Sequence, residues 1–265
     1  MGLNTAIERM TARIAGILST NAPSVYVYGS YVLADFRLGW SDIDILVLTE
    51  KPIAQQQADE LVSLRQTMTA DEPLNPFYRC FEGGMLTLDA FVRRVPTRVV
   101  YWGTSGQRIT DSYSFDACCM KELLDCGRHL HGKDVRGQLA PPSYEDIRAS
   151  IQSHYDAIRR YASHSGRSIY SFGWILDIAR CVYTLRTGQI ISKTAAGEWA
   201  LSCRLFGDDA ALRTALAVRR EPQAYHANAA LQDLAEELGE VIQRYADVLE
   251  AELTAAPISA GYPRA

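Results

Sequence analysis

The stretch Val25-Tyr26-Val27-Tyr28-Gly29-Ser30, followed after a short segment by Trp40-Ser41-Asp42-Ile43-Asp44-Ile45-Leu46-Val47-Leu48, decides how this chain is read. Its first part is β-branched and aromatic and ends in Gly-Ser, which predicts a strand closing in a turn. Its second part opens with two carboxylates and continues as branched aliphatic residues, the pattern of a strand covered on both faces. Residues i and i+2 of a strand point to the same side. Asp42 and Asp44 are therefore expected to project together, toward whatever Gly29 and Ser30 hold. Two adjacent carboxylates repel unless a cation lies between them. Mg²⁺ suits such a pair, being a hard ion that takes oxygen ligands and keeps substrate phosphates in its shell. Gly29 would let backbone approach a phosphate, and Ser30 would offer N–H and hydroxyl donors. An Asp-x-Asp alone is more often a strand entry with two solvated carboxylates. The preceding strand, the Gly-Ser turn and the spacing shift the reading to a phosphoryl-transfer site.

Working outward, 265 residues predict two domains. A hydrophobic fraction of 48% and a charged fraction of 22% are those of an ordinary globular protein. The formal net charge of −4 argues against a nucleic-acid partner and is compatible with a cationic substrate. The start, Met1-Gly2-Leu3-Asn4, lacks the basic-then-apolar pattern of a signal peptide. No apolar run approaches the roughly 18 residues of a membrane span. The six cysteines (Cys80, Cys118, Cys119, Cys126, Cys181 and Cys203) show no Cys-x-x-Cys metal spacing, so free thiols in a reduced cytoplasm are expected.

Along the chain, Asn4 is a candidate N-cap for a helix carrying Ile7, Met10, Ile14, Ile17 and Leu18. Residues 31–38 predict a short helix whose N-terminal N–H groups would face the site. Pro52 suits the start of a helix to about Ala70, and Pro73 and Pro76 mark a loop. After Gly83-Gly84, residues 85–92 read as a strand, and 93–111 as a loop that could line a pocket. Residues 115–124 turn helical, with Gly127 as a stop. Beyond a boundary at 137–142, helices are expected from Ser143, over 169–185, from Ser192, over 208–218, and as one long helix over 227–253. The tail over 254–265 is expected to be disordered.

Asp89 falls within the strand expected over 85–92, and an unpaired buried charge is costly. Either a metal or acceptor hydroxyl beside Asp42 and Asp44 satisfies it, or it pairs with Arg93, Arg94 or Arg98.

The Gly-Ser turn, the Asp-x-Asp and the apolar strand together resemble the nucleotidyltransferase superfamily. The run Arg180-Cys181-Val182-Tyr183-Thr184-Leu185-Arg186-Thr187-Gly188-Gln189-Ile190-Ile191-Ser192-Lys193, continuing to Trp199-Ala200, is similar to the C-terminal domain of the aminoglycoside (3'')(9)-adenylyltransferases. With residues 122–132, which end in His-Gly, the likeness covers most of the chain. It implies an α+β fold: an N-terminal nucleotidyltransferase domain over 1–142, a mixed sheet with flanking helices, and a C-terminal all-helical bundle over 143–265. It also implies AMP transfer from Mg-ATP to an antibiotic hydroxyl in the cleft between the domains, by a monomer.

Carried over residue by residue, Ser30, beside Gly29, contacts the ATP phosphates and Asp42 and Asp44 bind Mg²⁺. Asp89 stands near the family's catalytic carboxylate, which is a Glu there, and joins the metal acids; Thr87 is the other match. Lys193 matches a lysine that reaches the triphosphate, against the plainer role of a solvated lysine opening a helix. Tyr225 matches a tyrosine near the nucleotide, against a packing role. In this reading Asp89, or a water it orients, takes the acceptor proton, and Ser30 and Lys193 stabilise the leaving pyrophosphate.

A polycationic acceptor calls for carboxylates and an aromatic wall. Asp146, Asp156 and Asp177, with Trp102, Tyr170 and Trp174, are the candidates, and Asp177 alternatively pairs with Arg180 or Arg159. Streptomycin-recognising members carry acids where this chain has Ser168-Ile169-Tyr170-Ser171-Phe172, which directs attention to spectinomycin or another hydroxylated compound. The segment after Ser30 has Ala34-Asp35-Phe36 where the family has paired glycines. A nucleotidyltransferase acting on a lincosamide, a protein or an RNA end is the alternative, as is a nucleotide-binding regulator without chemistry.

Overall fold

A computed structural model describes residues 2–103 and 106–255. They form two compact units: residues up to Phe36 together with Ser41–Pro141, and Arg37–Trp40 together with the chain from Pro142 onward.

The first unit opens with α1 (Leu3–Ile17), whose Ala6, Ile7, Met10 and Ile14 are buried. Its cap position is Gly2; Asn4 lies inside the helix and accepts a hydrogen bond from the Tyr31 hydroxyl. β1 (Pro23–Tyr28) and β2 (Ile43–Thr49) pair antiparallel. α2 (Gln55–Asp71) returns the chain so that β3 (Phe81–Thr87) lies parallel to β2, as a helical crossover allows. α3 (Leu88–Arg93) follows at once, and β4 (Val99–Gly103) and β5 (Gly106–Thr110) extend the sheet as an antiparallel pair. α4 (Ala117–Asp125) leads to β6 (Arg128–His131), which pairs with β1. The six-stranded mixed sheet runs β5-β4-β3-β2-β1-β6.

Strand alternation sorts the side chains onto two faces. Val25, Val27, Ile43, Ile45, Val47, Phe81, Met85, Val100 and Trp102 pack with α1 and α2. Tyr26, Tyr28, Leu46, Leu48, Leu86 and Val99 pack on the opposite face with Leu123, Val135 and Leu139. Trp102 is fully buried and donates through Nε1 to Leu61 O at 3.0 Å, so it belongs to the core and not to a pocket wall.

Two departures from the sequence reading arise here. β3 begins at Phe81 and runs through Gly83-Gly84, which the sequence reading placed ahead of the strand. A Cβ at Gly83 would collide with Ile45 O of β2, and one at Gly84 with the ring of Tyr113, so both glycines serve close approach inside the strand. Each costs about 0.5–1 kcal/mol in strand propensity, less than the roughly 1.5–3 kcal/mol from burying a neighbour such as Met85 or Leu86. The strand ends at Thr87 because its hydroxyl caps α3, accepting from Ala90 N at 3.4 Å. Residues 93–111, expected as loop, hold β4 and β5.

The second unit is helical. α5 (Tyr144–Tyr161) starts on a capping box, Ser143 Oγ accepting from Asp146 N while Asp146 accepts from Ser143 N at 2.9 Å. α6 (Tyr170–Thr187) is buried on nearly all sides, with α5, α7 (Lys193–Ser202), α8 (Ala210–Arg220) and α11 (Gly239–Thr254) packed around it. Between α8 and α11 lie the short α9 (Pro222–His226) and α10 (Ala229–Glu236). Residues 37–40 are seated in this unit: Gln223 donates to Leu38 O at 3.0 Å, and the Arg219 guanidinium lies 5.2 Å from the Trp40 ring centre. No described helix is long and apolar enough to cross a membrane.

The single helix expected over 227–253 is broken, because Ser165 Oγ donates to Glu236 O and Gly239 sits against the Ser163 carbonyl. Of the tail expected to be disordered, Thr254 closes α11 and residues 256–265 lie outside the described residues. Because a Cβ at 239 would overlap that carbonyl, Gly239→Ala is expected to destabilise the protein by about 1–3 kcal/mol, although alanine is the better helix former. Urea denaturation checks the sign; a stabilised variant would show that the break has another cause.

Candidate active site

β1 delivers the chain into a 3₁₀ turn over Gly29–Tyr31, and Gly29 takes φ +73°. The helix expected over 31–38 does not form; residues 32–34 are a turn closed by Asp35 N donating to Ser30 O at 2.9 Å. Tyr28 is directly opposite Asp44 in the antiparallel register. A Cβ at position 29 would coincide with the Asp44 carboxylate, so glycine is required here both by backbone conformation and by the acid beside it. Ser30 Oγ faces the Asp42 carbonyl at 3.4 Å, which leaves the turn and the acid pair side by side.

Asp44 and Glu82 are partners in the parallel register of β2 and β3. They share strand parity with Leu46, Leu48 and Leu86, hence the same sheet face, and Asp42 precedes Asp44 by two residues. Gly84 pairs with Tyr101, and Tyr101 with Arg108. The Tyr101 hydroxyl donates to Glu82 Oε1 at 3.1 Å, and the Arg108 guanidinium stacks 4.6 Å from the Tyr101 ring centre. From α2, Arg65 donates to Phe81 O at 2.7 Å. Burial pulls the Arg65 pKa down, and the charges of Glu82 and Asp42 oppose that fall. Cys80 is pushed up to about 11, first by burial and then by the Asp42 charge.

The other side of Asp44 is lined by groups held protonated. Burial, then the neighbouring Tyr113 and Asp44, raise Tyr28 well above the usual phenol range. Burial likewise raises Tyr113, a hydrogen bond with Tyr28 opposing the rise and the neighbouring Cys119 and Asp44 adding to it. Cys119 is raised well above the usual thiol value by burial and by Asp116 and Asp44. Asp44 thus stands among neutral donors at the end of an apolar face.

Asp89 does not join this group. Thr87 ends the strand, so Asp89 falls in the first turn of α3, where it is exposed and pairs with Arg93 at 3.4 Å. That pairing was the alternative open to it in the sequence, and the strand position expected of Asp89 is corrected accordingly. The third acid of the sheet is Glu82, which sequence reasoning missed. The available signal was an acid followed by two glycines, one strand over from the Asp-x-Asp.

Among the described residues no set of three or more His, Cys, Asp or Glu side chains is arranged to hold a metal. Two carboxylates fit Mg²⁺, which is usually bound through one or two protein carboxylates with substrate phosphates completing the shell. Asp42 and Asp44 meet that description.

In the helical unit Lys193 is the first residue of α7, after the Ser192 cap, and its Nζ donates to Asp177 Oδ2 at 2.9 Å. Arg180 Nη2 donates to Asp177 Oδ1 at 3.1 Å, and His154 Nε2 lies 4.0 Å from Oδ2. Burial pushes Asp177 up, but Lys193, Arg180 and His154 outweigh it and hold the acid down at about 2. Arg159, the other partner considered for Asp177, instead pairs with Asp247 and Glu250. Tyr225 is 2% exposed, its ring edge-on to Phe172 and its hydroxyl donating to Arg167 O at 2.9 Å. These are the contacts of the packing role that stood beside the nucleotide contact in the sequence reading. Asp146 is used in the cap of α5, and Asp156 accepts from Gln152 at 2.9 Å.

A six-stranded mixed sheet with an acid pair beside a Gly-Ser turn defines a nucleotidyltransferase, and a sequence profile described as "Nucleotidyltransferase domain" matches residues 12–72. A second, "Aminoglycoside adenylyltransferase, C-terminal domain", matches residues 139–247. The chain is an adenylyltransferase enzyme whose second half is similar to the C-terminal domain of the aminoglycoside adenylyltransferases. Spectinomycin 9-adenylyltransferases of Staphylococcus aureus, in strains Mu50 and N315, are 25% identical over 208 residues, covering 75% of this chain and 77% of theirs. The fold is similar to that of spectinomycin adenyltransferase AAD(9) from Enterococcus faecialis, crystallised with ATP and spectinomycin. That structure superposes with a TM-score of 0.63 at 16% identity, over 93% of this chain and 99% of that one.

Because residue 29 must leave room for the Asp44 carboxylate, Gly29→Ala is expected to lower kcat/KM by at least about 100-fold. The cost in stability should be only about 1–3 kcal/mol. Steady-state kinetics beside a urea titration checks this; near-normal turnover would show that Asp44 has no fixed place in the chemistry.

Proposed function

We propose that this enzyme transfers AMP from ATP to a hydroxyl of spectinomycin, and so confers resistance to it. The observation that carries the reading is Asp44 level with Glu82 in the β2–β3 register, beside the Gly29-Ser30 turn and with Asp42 just ahead of β2. The spectinomycin adenylyltransferases among its relatives supply the acceptor class. The absence of acids at residues 168–172 supports the (9) branch of the (3'')(9) group over streptomycin modification. Free cysteines throughout the described chain, with ATP as co-substrate, support a reduced cytoplasmic setting.

In the proposed mechanism Gly29 and Ser30 present backbone and hydroxyl donors to the triphosphate. Asp42 and Asp44 would hold Mg²⁺, which when bound would neutralise phosphate charge and orient the α-phosphate. Glu82 accepts the proton of the acceptor hydroxyl as its oxygen bonds to the α-phosphorus and the bond to pyrophosphate breaks. Tyr101, donating to Glu82, keeps the remaining carboxylate oxygen turned toward the acceptor. Lys193 is proposed as a further phosphate ligand. Positioning and electrostatics supply most of the acceleration, and no covalent intermediate is needed.

Pyrophosphate release with Mg-ATP tests the acceptor: spectinomycin is expected to support turnover and streptomycin not. Turnover with streptomycin alone, or with neither, would overturn the acceptor assignment. Glu82→Gln is expected to lower kcat by about 10²–10⁴-fold, the usual worth of a general base. Asp89→Asn, altering an exposed acid in α3, should stay within about twofold of the parent. The reverse ranking of these two variants would return the catalytic role to Asp89.

A further inference from the structure

We propose that Asp177 is a positioning residue, a buried carboxylate that holds Lys193 in place for an anionic phosphate chain. The inference rests on the proposed reading of Lys193 as a phosphate ligand.

Asp177 lies in the middle of α6, between Leu176 and Ile178, which are fully buried. An isolated carboxylate there would be costly, and a single cation would suffice to offset it. The structure instead brings two permanent cations and a histidine to the one acid, with both carboxylate oxygens engaged. The charges are also layered. The Asp177 side chain is 11% exposed, while those of Lys193, Arg180 and His154 are 24%, 32% and 37% exposed. The acid therefore lies deeper than the three groups gathered on it, and Lys193 reaches outward from it.

Lys193 needs such an anchor. It opens α7, where the helix dipole disfavours a cation, and its side chain is long and rotamer-rich. An ammonium has three donors; one given to Asp177 leaves two for phosphate oxygens and fixes their direction. Ordering the side chain before the ligand arrives lowers the entropy lost on binding. Trp174, its ring 5.7 Å from that of His154, walls the same cluster.

The test is Mg-ATP titration calorimetry and steady-state kinetics on the full chain. Asp177→Asn keeps the shape and removes the charge. It is expected to raise Kd and KM for ATP roughly tenfold, with KM for spectinomycin unchanged. Lys193→Ala should weaken ATP at least as much, and the double variant should be no weaker than Lys193→Ala alone. Asp177→Glu, which retains the charge, should recover part of the loss at an unchanged Tm. Wild-type or tighter ATP binding by Asp177→Asn, alongside a weakened Lys193→Ala, would overturn the positioning role and leave the phosphate role of Lys193 standing. So would a loss confined to the KM for spectinomycin, which would place Asp177 in the acceptor site. If Lys193→Ala binds ATP normally, the phosphate role of Lys193 fails and Asp177 falls with it. Should Asp177→Asn not fold, Asp177→Glu decides: weakened ATP binding at normal Tm supports the proposal, and wild-type affinity overturns it.

Discussion

The active face depends on how closely the backbone of Gly29 approaches the carboxylate of Asp44. No side chain fits between them. The left-handed backbone at Gly29 turns the chain out of β1 at the point where β2 brings its acid level with Tyr28. The turn that would receive phosphates and the acid that would receive the metal are therefore set by one contact. The parallel pairing of β2 with β3 adds Glu82 to the same row. Gly83 performs the equivalent service one strand over, letting β3 lie against the Ile45 carbonyl of β2.

Two carboxylates level with each other on one sheet face, Asp44 and Glu82, with Asp42 just ahead of β2, repel one another, and the surrounding residues show how the protein accommodates them. Arg65 brings positive charge from α2, and Tyr101 places a hydroxyl on Glu82. Around Asp44 the phenols of Tyr28 and Tyr113 and the thiol of Cys119 are held protonated, so no further negative charge accumulates. In the proposed reading such an arrangement would sacrifice stability in the free protein and regain it on binding a cation and a polyphosphate. In the helical unit one buried acid, Asp177, is held between Lys193 and Arg180.

Much of this was legible in the sequence. Asp-Ile-Asp at the head of an aliphatic run carried its own geometry through the two-residue strand period, and the Ser143 and Ser192 caps marked α5 and α7 where they form. The third acid was not legible, because Gly83-Gly84 carries the composition of a turn. Only the tertiary neighbours, Ile45 O and the Tyr113 ring, show why glycine stands inside a strand. Asp89 misled for the same reason: a hydroxyl cap at Thr87 converts the end of an apolar run into a helix, and one hydrogen bond outweighs the strand periodicity. The run Val99-Val100-Tyr101-Trp102 had the β-branched and aromatic character of a strand, obscured by the irregular residues around it. The break before α11 depends on contacts with Ser163 and Ser165, distant in sequence and invisible to local pattern.

Whether Asp42, Asp44 and Glu82 divide the work, two acids holding the cation and one taking the proton, can be read from Mg-ATP binding without turnover. Calorimetry should find that replacing Glu82 by Gln leaves the Mg-ATP affinity within about twofold of the parent, because a proton acceptor adds little to ground-state binding. Replacing Asp44 by Asn should remove Mg²⁺-dependent ATP binding. Equal losses from the two substitutions, or a loss confined to Glu82, would contradict the division and with it the catalytic arrangement described for this sheet face.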